Sequence, residues 1–256
     1  MSGRIPVVVP AAGKISEELR LQTGAGCRGL VPIAGRPMID RVLDSVGQAT
    51  CTGDVCVVCE PGSDLLHHLG PRAVASEGEG FVSTLRTGLA ALGGPEHILL
   101  VTGDLPLLTP QALDHFCIQA LHSGASIVYS IIRKDVCERV FPGGKRLYVR
   151  LRDGAFTGGN VSVFSRRFIE AEGERLEQAF SGRKSPVRLC RMLGWGFVLR
   201  LAAGMLSVED IVRRAEQVMA APVHVVESPY AEIGFDVDKP ADIAEVERWL
   251  AAHQTC

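Results

Sequence analysis

Asp104, in the segment Val101-Thr-Gly-Asp-Leu-Pro-Leu-Leu108, is the side chain whose type and setting point most directly to chemistry. It follows a short run of branched apolar residues, 97–102, that suits a central parallel strand, and open α/β sheets bind their ligands just beyond the carboxyl ends of such strands. On a turn stiffened by Gly103 and Pro106, a single carboxylate there can hold a divalent metal against a phosphorylated substrate. The competing role is local: Asp104 or Thr109 could cap a helix that begins near Pro110. A second constellation lies in the loop after the first strand. Ala11, Ala12 and Gly13 remove side-chain bulk so that backbone N–H groups can approach phosphate, and Lys14, Arg20 and Arg28 add cations. The loop has neither the GxxxxGK[ST] nor the GxGxxG pattern, so a P-loop kinase and an ordinary dinucleotide enzyme are unsupported; a flexible surface loop is its other reading.

These residues need a sheet to hold them. Strand patterns at 5–10, 54–59, 97–102 and 126–132 alternate with helical patterns at 38–48, 82–92 and 110–122, the signature of a mostly parallel sheet covered on both faces. The second half is less regular, with an alternating stretch at 146–151, a glycine turn at 157–159 and a strand through 160–164. A helical insertion or lid follows at about 166–220. Strand character returns at 222–227, and Asp238 and Pro240 mark the start of a closing amphipathic helix. The expected architecture is a single three-layer α/β/α, Rossmann-like domain over 1–256 with that helical insertion.

A chain of 256 residues, 46% hydrophobic and poor in aromatics, supports one sizeable α/β core. A net charge of -2 gives no general electrostatic reason to bind nucleic acid or an anionic membrane, so neither is expected as a partner and any basic site must be local. The opening residues carry no signal-peptide pattern, and the longest apolar stretch, 192–206, is interrupted by Arg200 and too short for a bilayer. A cytoplasmic protein is expected. Of the 8 cysteines, Cys56 and Cys59 have C-x-x-C spacing but no second pair, and they read as small buried hydrophobes. His67 and His68 read as surface residues; Trp195 and Phe197 suit the core or a dimer contact, which leaves a homodimer open.

Taken in order, the Ala-Ala-Gly loop, Arg28-Gly-Leu-Val-Pro-Ile-Ala-Gly-Arg-Pro-Met-Ile39, VTGDLPLL, Phe156-Thr-Gly-Gly-Asn-Val-Ser-Val-Phe164 and Gly234-Phe-Asp-Val-Asp-Lys-Pro-Ala-Asp242 form a recognisable series. It resembles the nucleotidyltransferases of the molybdenum-cofactor guanylyltransferase-like (MobA-like) superfamily, whose relatives include sugar-phosphate nucleotidyltransferases and cytidylyltransferases. The resemblance implies a GT-A-like fold and an Mg²⁺- or Mn²⁺-dependent enzyme. Its partners would be a nucleoside triphosphate, GTP or CTP, and a small phosphorylated or hydroxylated acceptor. It assigns nucleotide binding to Ala11, Ala12, Gly13, Lys14, Arg28 and Gly103, with base and ribose read near Glu77, Gly78, Gly80 and Ser83. The metal falls to Asp104 and Asp236, with Asp238 as the alternative because alternate side chains of a regular strand face opposite ways. The acceptor would be framed by Lys145, Arg146, Arg150 and the turn Thr157-Gly158-Gly159-Asn160, whose asparagine can both donate and accept; a plain hairpin is the competing reading.

Nucleotidyl transfer gives these residue types a reason to be there. An acceptor oxygen attacks the α-phosphate and pyrophosphate leaves, so negative charge builds on both sides of phosphorus. A metal with Arg28, Lys14 and Arg20 can stabilise it, Asp104 anchoring the metal, and no protein nucleophile is needed. The chain departs from the family at Cys27-Arg28, where a proline-lysine pair is usual, and in the length of its first loop. Arginine keeps the charge but not the geometry of lysine. Those departures motivate a second class, a noncatalytic nucleotide-binding or regulatory protein. A nucleotide-sugar-dependent glycosyltransferase on the related architecture is the third.

Overall fold

Val7, Val9, Val57, Cys59, Leu99 and Val101 pack into one hydrophobic core, whereas Val8, Cys56, Val58, Ile98 and Leu100 pack into another. Odd and even positions of three strands thus feed opposite faces of one sheet, as the two-residue period of a strand requires. The same arithmetic sends Cys56 and Cys59 to opposite faces, both buried as free thiols.

The structure, a computed structural model, describes residues 3–253 apart from 12, 14, 77, 145 and 183–185. The first half runs β1 (Ile5–Pro10), α1 (Glu17–Thr23), β2 (Pro32–Ile33), β3 (Arg36–Pro37), α2 (Met38–Gln48), β4 (Thr52–Cys59), α3 (Asp64–Leu69), β5 (Ala73–Ala75) and α4 (Phe81–Ala91). It continues with β6 (His97–Val101), α5 (Pro110–Ser123), β7 (Ile127–Arg133), α6 (Lys134–Val140), β8 (Val149–Leu151) and β9 (Gly154–Ser165). Four helices follow, α7 (Arg166–Gly182), α8 (Pro186–Leu193), α9 (Trp195–Ala202) and α10 (Val208–Met219), before β10 (Val223–Ser228) and α11 (Pro240–His253).

Eight strands form the main sheet in the order β10, β7, β9, β6, β1, β4, β5, with β8 on β9. β1 is parallel to β4 and β6, β4 to β5, and β7 to β10; β9 alone runs against its neighbours. This is the mixed, mostly parallel α/β sheet that the alternation of strands and helices predicts. One face is covered by α2, α5 and α11, the other by α4 and α7, which contribute Met38, Phe116 and Val246 to one core and Leu85 and Leu176 to the other.

Two expectations change. Residues 157–159 do not turn but continue β9, and the strand absorbs its glycines as a bulge: Tyr129 pairs with Ser162 and Ile131 with Gly158, so one intervening residue of β7 faces three of β9. The glycines are there for close approach, since a Cβ on Gly159 would lie 2.2 Å from Ser130 Oγ. Trp195 is not a core residue; it is 65% exposed on α9, and Phe197 is half-buried. Among the described residues no helix is long and apolar enough to cross a membrane.

Candidate active site

The carboxyl ends of β1 and β6 lie side by side, and Gly103 marks where they meet. Its N–H points at Pro10 O at 3.4 Å, and a Cβ there would press on Ile39 Cδ1 at 3.0 Å, so the backbone turns where a side chain would not fit. Asp104 follows. It does not cap α5: that role belongs to Thr109, whose Oγ1 accepts from Ala112 N–H at 3.2 Å and donates to Glu232 Oε1 at 2.8 Å. Asp104 is thereby free to face the sheet's end.

A short helical turn, Ala231–Gly234, then lays residues 235–238 against the same end. Val237 N–H donates to the backbone oxygen of Asp104 at 3.1 Å, locking the two acidic segments together. This segment is not a regular strand, so the alternation that would hide one aspartate does not apply. Asp236 and Asp238 both line one cavity of about 250 Å³. Nor does the side chain of Asp238 cap α11; Asp242 does, its Oδ2 accepting from Asp238 N–H at 2.9 Å and Lys239 N–H at 2.8 Å.

Arg28 enters from the other side, on a helical turn, Arg28–Leu30, seated by Gly29, which is buried against Leu65 and Ile39. Its Nε and Nη2 both donate to Val237 O, at 3.0 and 2.7 Å. Nη2 also lies 3.0 Å from Asp104 Oδ2 and 3.9 Å from Asp236 Oδ2, and it contacts Asp238 Oδ1. Arg28 therefore meets carboxylates rather than standing apart as an open phosphate ligand. The local field is acidic. Burial, with the charges of Asp104 and Asp238, pushes the Asp236 carboxyl up to about 6, against the opposing pull of Arg28.

Among the described residues no group of three or more His, Cys, Asp and Glu side chains forms a ready metal cage. One observation nevertheless fits a cation: Asp104 Oδ1 is buried with no hydrogen-bond partner among the described residues, and such an acceptor is costly unless a positive group completes it. Asp104 and Asp236 supply hard oxygen donors of the kind Mg²⁺ takes.

Next to the acids, Thr157, Gly158 and Asn160 of β9 line the cavity together with Arg146, Phe235 and Lys239. Asn160 O accepts from Thr102 N–H at 3.2 Å, which ties this wall to β6. The Arg146 guanidinium stacks 4.6 Å from the centre of the Phe235 ring and donates to Gly234 O. The other assigned positions scatter. Gly159 is buried behind the wall, Arg150 is exposed on β8, and Arg20 is exposed on α1; none of them lines the cavity. Ala11 N–H continues the β1 ladder to Val58 O at 2.8 Å, and Gly13 is exposed. Gly78, Gly80 and Ser83 cluster where α4 begins, beyond β5. Ala12, Lys14, Glu77 and Lys145 lie outside the described residues.

Sequence reasoning missed Lys239, Asp242 and Glu245 of the cavity lining, although they sit within or just after the GFDVDKPAD motif. It also missed Glu177, whose Oε2 accepts from Val82 N–H at 2.8 Å at the start of α4.

Known proteins share this fold. A hypothetical transferase from Thermus thermophilus superposes with a TM-score of 0.82 at 32% identity, covering 94% of this chain and 99% of that one. The fold recurs in CMP:2-keto-3-deoxy-manno-octonic acid synthetase complexed with CTP, with a TM-score of 0.63 at 14% identity over 98% of this chain and 99% of that one. The 3-deoxy-manno-octulosonate cytidylyltransferase of Desulfosudis oleivorans is 37% identical over 91 residues, which are 33% of this chain and 37% of that protein. The chain thus aligns with little more than a third of this curated relative. Residues 7–186 match the family described as the MobA-like NTP transferase domain, and the chain belongs to that family.

Proposed function

We propose that the protein is a nucleotidyltransferase that moves a nucleoside monophosphate from a triphosphate onto a small acceptor, with release of pyrophosphate and with the help of Mg²⁺ or Mn²⁺. The observation that carries this reading is the buried Oδ1 of Asp104, without a partner among the described residues and in one acidic cluster with Asp236, which lines a polar cavity. Asp104 and Asp236 would hold the metal, which when bound neutralises charge on phosphate oxygens. The chain's own groups do the rest. Arg28 offers a planar fork suited to two phosphate oxygens, and the small residues of the first loop leave room for the triphosphate backbone. Asn160 and Thr157 supply the donors and acceptors that orient a hydroxylated acceptor, while Arg146 and Lys239 supply positive charge. Between GTP and CTP, the names of the similar proteins support CTP. The seven free cysteines among the described residues fit a reducing, cytoplasmic setting.

The test is release of pyrophosphate from each of the four labelled triphosphates with Mg²⁺ and a pool of sugar phosphates, sugar acids and phosphorylated polyols. Turnover is expected with CTP, and Asp104→Asn should lower it by at least about a hundredfold while the circular dichroism stays that of the parent. Nucleotide binding without turnover across the panel would instead make this a noncatalytic binder. Release of a nucleoside diphosphate from a nucleotide-sugar would make it a glycosyltransferase.

A further inference from the structure

One guanidinium faces three carboxylates at the end of the sheet. Arg28 Nη2 sits 3.0 Å from Asp104 Oδ2, within ion-pair range of Asp236, and against Asp238. It thereby already engages one oxygen of each carboxylate that a shared cation would use, and only Asp104 Oδ1 is left without a partner among the described residues. A divalent ion needs several oxygens at short range, and two positive centres cannot share these carboxylates without repulsion. The grip is bidentate toward the backbone, since Nε and Nη2 close on the single oxygen of Val237. Lysine, a point charge on a flexible stem, cannot make that fork. Phosphate can compete for it, because a guanidinium matches two phosphate oxygens as well as it matches a carboxylate.

We propose that Arg28 is a gate on the metal site. In the nucleotide-free protein it holds the three carboxylates and keeps a divalent cation out; an arriving triphosphate draws it off, so that metal and nucleotide enter together. The gate rests on the nucleotidyltransferase reading for the identity of the ligand that opens it, while the competition between Arg28 and the cation stands on the geometry alone. The guanidinium fork on Val237 O, which a lysine cannot make, is what makes the closed state hold.

The test uses Mn²⁺ alone as the probe, read by the electron paramagnetic resonance signal of the free ion, on the full chain without nucleotide. Wild type should bind Mn²⁺ weakly. Arg28→Gln should bind it about tenfold more tightly or better, the change expected when one charge-assisted competitor is lost, and adding Asp104→Asn should abolish the gain. Arg28→Lys, which keeps the charge and guards against a misfolded glutamine variant, should fall between the two. Equal Mn²⁺ affinity in wild type and both single variants overturns the gate. Pyrophosphate release by a protein with those equal affinities keeps the transferase and removes only the gate. Tighter Mn²⁺ binding by Arg28→Gln in a protein that transfers no nucleotide keeps the competition and removes the transferase.

Discussion

Gly158 and Gly159 are neighbours with different tasks. Gly158 is exposed and lines the cavity, whereas Gly159 is buried, where a Cβ would lie 2.2 Å from Ser130 Oγ, 3.0 Å from Ser130 Cβ and 3.2 Å from Ile233 Cγ2. Gly159→Ala should therefore cost about 1–3 kcal/mol through overpacking, measured by urea melts, with no change in acceptor KM. Ser130→Gly in the same chain should recover part of that loss, because it removes both crowded atoms. Asn160→Ala should do the reverse, raising acceptor KM several-fold with little change in stability. An alanine at 159 that melts with the wild type would mean that β9 yields more than the packing allows. That this stretch sets two glycines beside the proposed acceptor site was legible from sequence. What they approach was not, because Ser130 and Ile233 come from other parts of the chain. Arg28 shows the same limit: its type announced a phosphate ligand, but its partner Val237 lies 209 residues away.

The elements best foreseen are those with a long, regular period. β1 and α2 match their expected limits, and α4, β6, α5 and β7 shift by only a residue or so, because each presents an unbroken apolar face. The two-residue strands β2 and β3, the three-residue β5 and the turn Ala231–Gly234 are too short to show a period, and tertiary contacts decide them. The start of α4 depends on such a contact. Gly80 has φ 97° and offers no side chain to cap the helix; the cap comes from Glu177 of α7, 95 residues later, on Val82 N–H. A carboxylate there both satisfies an orphan donor and meets the positive end of the helix dipole. Glu177→Ala should cost about 1 kcal/mol and raise the nucleotide KM, since the loop it steadies carries the proposed base-binding residues Gly78, Gly80 and Ser83. Glu177→Gln, which can still accept the hydrogen bond, should lose less. Identical urea midpoints for the alanine variant and the parent would show that α4 caps itself in solution.

At the scale of the whole molecule, the candidate site is a set of sutures between distant segments. Val237 N–H joins the late segment to Asp104, Thr102 N–H joins β6 to β9 through Asn160, and Arg28 reaches from the first loop to Val237 and the three aspartates. None of these contacts is local in sequence, so a ligand that bridges them binds the folded chain and has no counterpart site in the unfolded one. Mass action then predicts the size of the effect: at a hundred times its Kd such a ligand stabilises by about 2.7 kcal/mol. For a chain of this length that is a rise in Tm of roughly 5–10 °C. A thermal-shift series of the four triphosphates should show this rise for the preferred nucleotide with Mg²⁺, and a clearly smaller one in excess chelator. In Asp104→Asn the two curves should coincide, because the carboxylate charge that would hold the metal is gone. If chelator leaves the wild-type shift unchanged, the triphosphate binds without help from the acidic cluster, and the pairing of Asp104 with Asp236 must be explained by its bond to Arg28 alone.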